Sequence, residues 1–172
     1  MKLTFLLVSP LLFALPSAST GIRPSYSPVP PGLSGSYEGT RSADGITHWT
    51  YLGPSKHSRR RRDTDETIFD TYICTGAYVD GLDARSAIEG FNAMCGHGRH
   101  FEKVLAYVHG TAVAYGCSFG NGNGHTCAYG SYNSSSFLRG IEGACGKDTA
   151  GVFVLPDEKV AYGLSHIQNR IC

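Results

Sequence analysis

Ala87–Gly96 reads AIEGFNAMCG and Leu138–Gly146 reads LRGIEGACG, and these two stretches decide the fold. In the first, Ala87, Ile88, Phe91, Met94 and Cys95 recur at the i, i+3, i+4, i+7 spacing of an amphipathic helix. In the second, Phe137, Leu138, Ile141, Ala144 and Cys145 make the matching stripe. Gly96 and Gly98 follow the first as helix-ending glycines do. Superposing Cys95 on Cys145 also matches Gly90 with Gly140 and Gly96 with Gly146, and sets Asp83 opposite Asn133. Asp and Asn are both preferred N-cap residues, so the pattern predicts helices at about Asp83–Cys95 and Asn133–Cys145. Gly90, Gly140 and Gly143 would each cost about 1 kcal/mol against alanine inside a helix. A helix lying close on a sheet would use such small residues.

Outward from each helix the chain repeats again, as AVAYG at Ala112–Gly116 and KVAYG at Lys159–Gly163. Thr67–Cys74 (TIFDTYIC) has the Thr, Ile, Phe and Tyr content of a strand. Val104–Val108 and Thr111–Phe119 read as strands around a His109-Gly110 turn. Gly151–Leu155 and Lys159–Leu164 read as strands around PDEK, and Thr126–Tyr129 is the faintest strand. The halves, about Thr67–Phe119 and Thr126–Cys172, therefore share a strand–helix–strand–strand order. The expected fold class is α+β: a two-layer sandwich, two helices on one face of a mainly antiparallel sheet, with pseudo-duplicated halves.

The chain before this unit has another character. Lys2 precedes the apolar run Leu3–Leu15, and small residues follow at Ser17, Ala18 and Ser19. That is the layout of a signal peptide over residues 1–19, too short to span a membrane. Four arginines, Arg59, Arg60, Arg61 and Arg62, form a site for a dibasic processing protease of the secretory pathway. All six cysteines, Cys74, Cys95, Cys117, Cys127, Cys145 and Cys172, lie after it. An exported chain meets an oxidising compartment, so the cysteines are expected as three disulfides, each adding roughly 3 kcal/mol. Residues 20–62, with SPVPPGLSG and little periodicity, read as a largely disordered pro-segment. Residues 63–172 read as one mature domain with a modest core. From Asp63 onward seven Lys and Arg stand against twelve Asp and Glu, a net −5; Thr20–Arg62 carries seven against two, a net +5. The opposite signs suggest a pro-segment seated on the domain. The acidic product argues against phosphate-mediated nucleic-acid binding and adsorption to anionic lipid.

No catalytic signature stands out. His97 and His100 have an HxxH spacing, but a metal site needs three or four convergent ligands and no third is visible, so no metal or other cofactor is expected. His109 reads as a turn residue. His125, in GNGNGHTC, lies in a glycine-rich loop without the GK[ST] ending of a phosphate cradle. A ribonuclease would need His, Glu and Arg together, and Glu89, Glu102, Arg99 and Arg139 supply the types. Tyr72, Tyr107, Tyr115 and Tyr162 invite a carbohydrate-binding reading but fall in expected strands. Asn133-Ser134-Ser135 is a glycosylation sequon on the expected helix cap.

Signal peptide, cysteine-free pro-segment, RRRR and a small cysteine-rich domain together resemble the Kex2-processed, cysteine-rich effectors that fungi secrete. The repeated ACG–VAYG pattern is similar to cysteine-rich proteins secreted by ascomycetes, and the α/β sandwich resembles the killer toxins of smut fungi. That resemblance implies a secreted, extracellular, non-catalytic protein, a virulence factor or toxin that binds a host or competitor target. It carries over no functional residue. The alternatives from other classes are a secreted ribonuclease-like small hydrolase and a cell-wall carbohydrate-binding module.

Overall fold

Ile88, Phe91 and Ile141 have no exposed surface in the computed structural model, so the two apolar stripes are what the helices bury. The structure describes residues 27–44, 46–54, 72–120, 122–127 and 134–172. Helix α1 spans Gly81–Cys95 and α2 spans Ser134–Cys145. Asp83 is not the cap of α1. Asp80 is, its carboxylate accepting from the N–H groups of Leu82 at 2.9 Å and Asp83 at 3.1 Å. Asn133 lies outside the described residues. On α2 the fully buried residue beside Ile141 is Phe137, one turn earlier, and Leu138 is only half-buried.

Two of the three helix glycines have the expected reason. A Cβ on Gly90 would run into the Tyr107 ring, and one on Gly140 into Tyr72. Gly143 faces open space and serves no packing.

The strands are β1 (Gly35–Arg41), β2 (Thr47–Gly53), β3 (Tyr72–Tyr78), β4 (Arg99–Phe101), β5 (Val104–His109), β6 (Ala112–Ser118), β7 (His125–Cys127), β8 (Thr149–Leu155) and β9 (Val160–His166). Seven form one antiparallel sheet in the order β2-β1-β5-β6-β9-β8-β3, and β4 pairs with β7 in a separate ribbon. Both helices lie on one face, α1 over β5 and β6, α2 over β3 and β8. The fold is the α+β sandwich that the periodicity predicts. The opposite face has its own cluster, in which Val104, Ala106, Val113 and Tyr115 are covered by Val29 and by Ile167 and Ile171 of the carboxyl-terminal segment.

Residues 20–62 are not a disordered segment throughout. Residues 35–53 form the β1–β2 hairpin, and β1 runs antiparallel to β5 from Gly35 opposite Val108 to Gly39 opposite Val104. The physical reason is the β1–β5 hydrogen-bond ladder together with burial: Tyr37 is 5 % and Val29 1 % exposed. Strand β3 begins at Tyr72; the start of the predicted Thr67–Cys74 strand lies outside the described residues. The predicted Thr126–Tyr129 strand corresponds to β7 in the small ribbon, not to a strand of the main sheet.

The two VAYG segments are neighbours, β6 beside β9, with Tyr115 opposite Gly163 and Gly116 opposite Tyr162. Directly opposed residues share a face and consecutive ones alternate. Tyr115 therefore points away from the helices and Tyr162 toward them, as their two clusters show. The matching letters are one residue out of step with the matching faces.

All six cysteines pair: Cys74 with Cys145, Cys95 with Cys127 and Cys117 with Cys172. The first two link the opening strand of each half to the end of the other half's helix. The third ties β6 to the carboxyl terminus.

Candidate functional site

The ribbon β4–β7, held by Cys95–Cys127, carries two of the four histidines that sequence reasoning singled out, His100 and His125. His100 opposes Thr126, with Nδ1 3.4 Å from Oγ1, and Phe101 opposes His125. Alternation then sends His100 and His125 to opposite faces of the ribbon. His100 is exposed; His125 is half-buried, its ring 5.8 Å from Phe101 and 6.1 Å from Tyr162. Burial pushes the His125 imidazole below its ordinary pKa; the Glu158 carboxylate pulls it back up and the neighbouring His100 lowers it further. The environment of His125 therefore favours the neutral ring, which packs against Phe101 and Tyr162.

The other acid–base candidates scatter. Glu89 is exposed on α1, Glu102 on the β4–β5 turn and Arg139 on α2, while Arg99 is half-buried on β4. His97 is exposed in the turn after α1. Among the described residues no three His, Cys, Asp or Glu are grouped to hold a metal ion. His109 ends β5 beside Asp83, whose carboxylate accepts from the Thr111 N–H at 2.8 Å and hydroxyl at 2.9 Å. These bonds, chiefly the backbone one, hold Asp83 below the ordinary carboxylate pKa, helped by His109. This cluster fastens the β5–β6 turn to α1, which is a structural task. Tyr107, Tyr115 and Tyr162 are buried and offer no platform to a sugar; Tyr72 is half-buried against Phe153.

Exposed apolar side chains lie at both ends of the main sheet: Ile46, Tyr51 and Leu52 at the β2 edge and, at the other edge, Ile73 and Tyr78 on β3. The outer side of β3 is unpaired among the described residues. Ile73 is 46 %, Tyr78 67 % and, just beyond on α1, Leu82 78 % exposed. The disulfide Cys74–Cys145 fixes this strand to α2. No helix among the described residues is long and apolar enough to cross a membrane. Arg59–Arg62 and Asn133 lie outside the described residues.

The site that sequence reasoning missed is the seat of the β1–β2 hairpin. Its signal is present: GSYEGTR and THWTYLG flank Asp44-Gly45, a hairpin-turn pair. No protein-family model, curated protein or solved structure matches this chain.

Proposed function

We propose that this is a secreted, disulfide-stapled binding protein of the effector or killer-toxin-like kind, processed after Arg62 and acting on a host or competitor protein rather than by catalysis. One observation carries the reading. Strand β3 is an edge tied to α2 by Cys74–Cys145, and it presents Ile73 and Tyr78 together with Leu82. Sheet edges usually carry charge, bulges or cover; β3 has a register irregularity between Cys74 and Tyr78 but no charged side chain. An edge with exposed apolar side chains suits an extended partner segment that adds as a further strand, the backbone supplying affinity and the side chains specificity.

The second reading is a ribonuclease-like hydrolase, favoured by His125 lying within electrostatic reach of Glu158 and His100. The opposite facing of the two histidines supports the binding reading over it. The test uses labelled protein on intact cells. Saturable binding should fall at least tenfold in the double variant Ile73→Lys/Tyr78→Ser with the melting temperature unchanged. RNA cleavage should stay at the level of buffer. Cleavage that disappears in His125→Ala would install the hydrolase reading instead.

A further inference from the structure

The β1–β2 hairpin is the part of the main sheet that no disulfide reaches. All three bridges join residues between Cys74 and Cys172, whereas β1 and β2 come from the cysteine-free chain before Arg59–Arg62. We propose that cleavage after Arg62 leaves the protein as two chains. The segment ending at Arg62 stays on the domain beginning at Asp63, held by the β1–β5 ladder and the apolar face beneath it. This rests on reading Arg59–Arg62 as a processing site. The step is hydrolysis by a dibasic protease: water adds across the Arg62–Asp63 peptide bond, leaving a carboxylate on Arg62 and an amine on Asp63.

The strand order gives the first argument. Outward from the β6–β9 centre, one side runs β5 then β1 and the other β8 then β3. Strand β1 fills beside β5 the place that β3 fills beside β8. Removing it would turn β5 into a bare edge and uncover Val104, Ala106 and Val108, all buried at 2 % exposure or less. An edge of that kind is an aggregation site.

The fit gives the second. Gly39 sits so close that a Cβ there would collide with Val104 and with the Trp49 ring. Tyr37 is buried in the second cluster, and its hydroxyl donates to the Leu33 carbonyl at 2.7 Å.

The connection gives the third. Strands β2 and β3 lie at opposite edges, six strand spacings or about 29 Å apart. The 18 residues 54–71 can span about 60 Å. A tether of that contour length does not by itself set the hairpin's place; it supplies an effective concentration on the order of mM. The seat itself is noncovalent and survives the cut. Its charge is small: residues 27–54 carry Glu38, Arg41 and Asp44, so the basic surplus before Asp63 lies elsewhere.

The test compares two forms of the full chain. One is cut at its own arginines by a dibasic-specific protease. In the other, Arg59–Arg62 is replaced by the recognition sequence of an unrelated protease, and that protease makes the cut. Size-exclusion chromatography and native mass spectrometry at about 1 μM, far below the tethered concentration, should give one 1:1 species that persists in 1 M NaCl. Denaturant without reductant should separate the fragments. Gly39→Val, or Tyr37→Ala if the first does not fold, should leave the uncut chain folded and release the fragment once cut, a loss of at least tenfold in apparent affinity. Release from the cut parent chain overturns the two-chain inference. Resistance of the arginine run to the first protease, with retention in the second form, overturns the processing reading alone.

Discussion

A methyl group has opposite consequences at Gly90 and Gly143, although both glycines sit inside helices. At Gly90 it meets the Tyr107 ring in a packed layer, and at Gly143 it meets nothing. Gly90→Ala should destabilise by about 1–3 kcal/mol, overpacking outweighing the gain in helix propensity. Gly143→Ala should stabilise by about 0.5–1 kcal/mol through that propensity alone. Urea denaturation of the two variants checks both signs at once. Asp83 makes a second single-residue test. Its folded pKa lies below the unfolded one because Thr111 donates to the carboxylate. The stability it contributes is therefore complete above the unfolded value of about 3.9 and is lost as pH falls through the folded value. Asp83→Asn removes the charge and keeps an acceptor. It should cost about 0.5–1 kcal/mol at pH 7, a modest figure because the group is near solvent. The cost should shrink as pH falls through the folded pKa, where the parent carboxylate itself becomes protonated. A cost unchanged across that range would assign the effect to packing.

At the scale of elements, what was legible in the sequence is what burial alone specifies. The helical stripes read directly because each buries one face against the sheet, and the β5–β6 and β8–β9 hairpins read directly as short apolar runs around turn residues, β5, β6 and β9 being buried on both faces. The β1–β2 hairpin did not. Its proline-rich approach suggested disorder, while the alternation in GSYEGTR becomes meaningful only when β5 offers an edge to pair with. Nor did the facing of VAYG, since identical letters cannot report a register set by the neighbouring strand. The candidate site was less legible still: Ile73, Tyr78 and Leu82 are apolar letters like any others until the sheet order leaves β3 outermost. The pairing of cysteines was likewise open until the strands were ordered. Cys117–Cys172 spans 55 residues and pins the segment that carries buried Ile171 across the helix-free face. Replacing both cysteines by alanine should cost about 4 kcal/mol on the loop-entropy argument. Hydrogen exchange should show protection lost first around 167–171, with β5 and β6 following only on global unfolding. Simultaneous loss everywhere would mean that the bridge supports the whole sheet rather than its carboxyl-terminal cover.

Across the whole molecule, the opposite net charges of residues 20–62 and 63–172 suggested electrostatic docking, yet the contact that forms is a strand ladder over an apolar face. The distinction matters for what residues 63–172 can do alone. Without the hairpin they lose the cover supplied by Val29 and Tyr37, whose burial is worth about 3–6 kcal/mol together as an upper figure. For a domain of this size that corresponds to a fall in melting temperature of up to about 10–30 °C. Expressed from Asp63, the chain should therefore melt lower, bind a hydrophobic dye and self-associate along β5. A synthetic peptide covering residues 27–54, added in trans, should reverse all three. Salt should not prevent the rescue, because the peptide's own charges nearly balance and the contacts are backbone hydrogen bonds and buried side chains, which screening leaves intact. If residues 63–172 instead melt as the full chain does and the peptide changes nothing, the hairpin is an accessory to a domain already complete, and β5 must find its own protection within the three disulfide-linked segments.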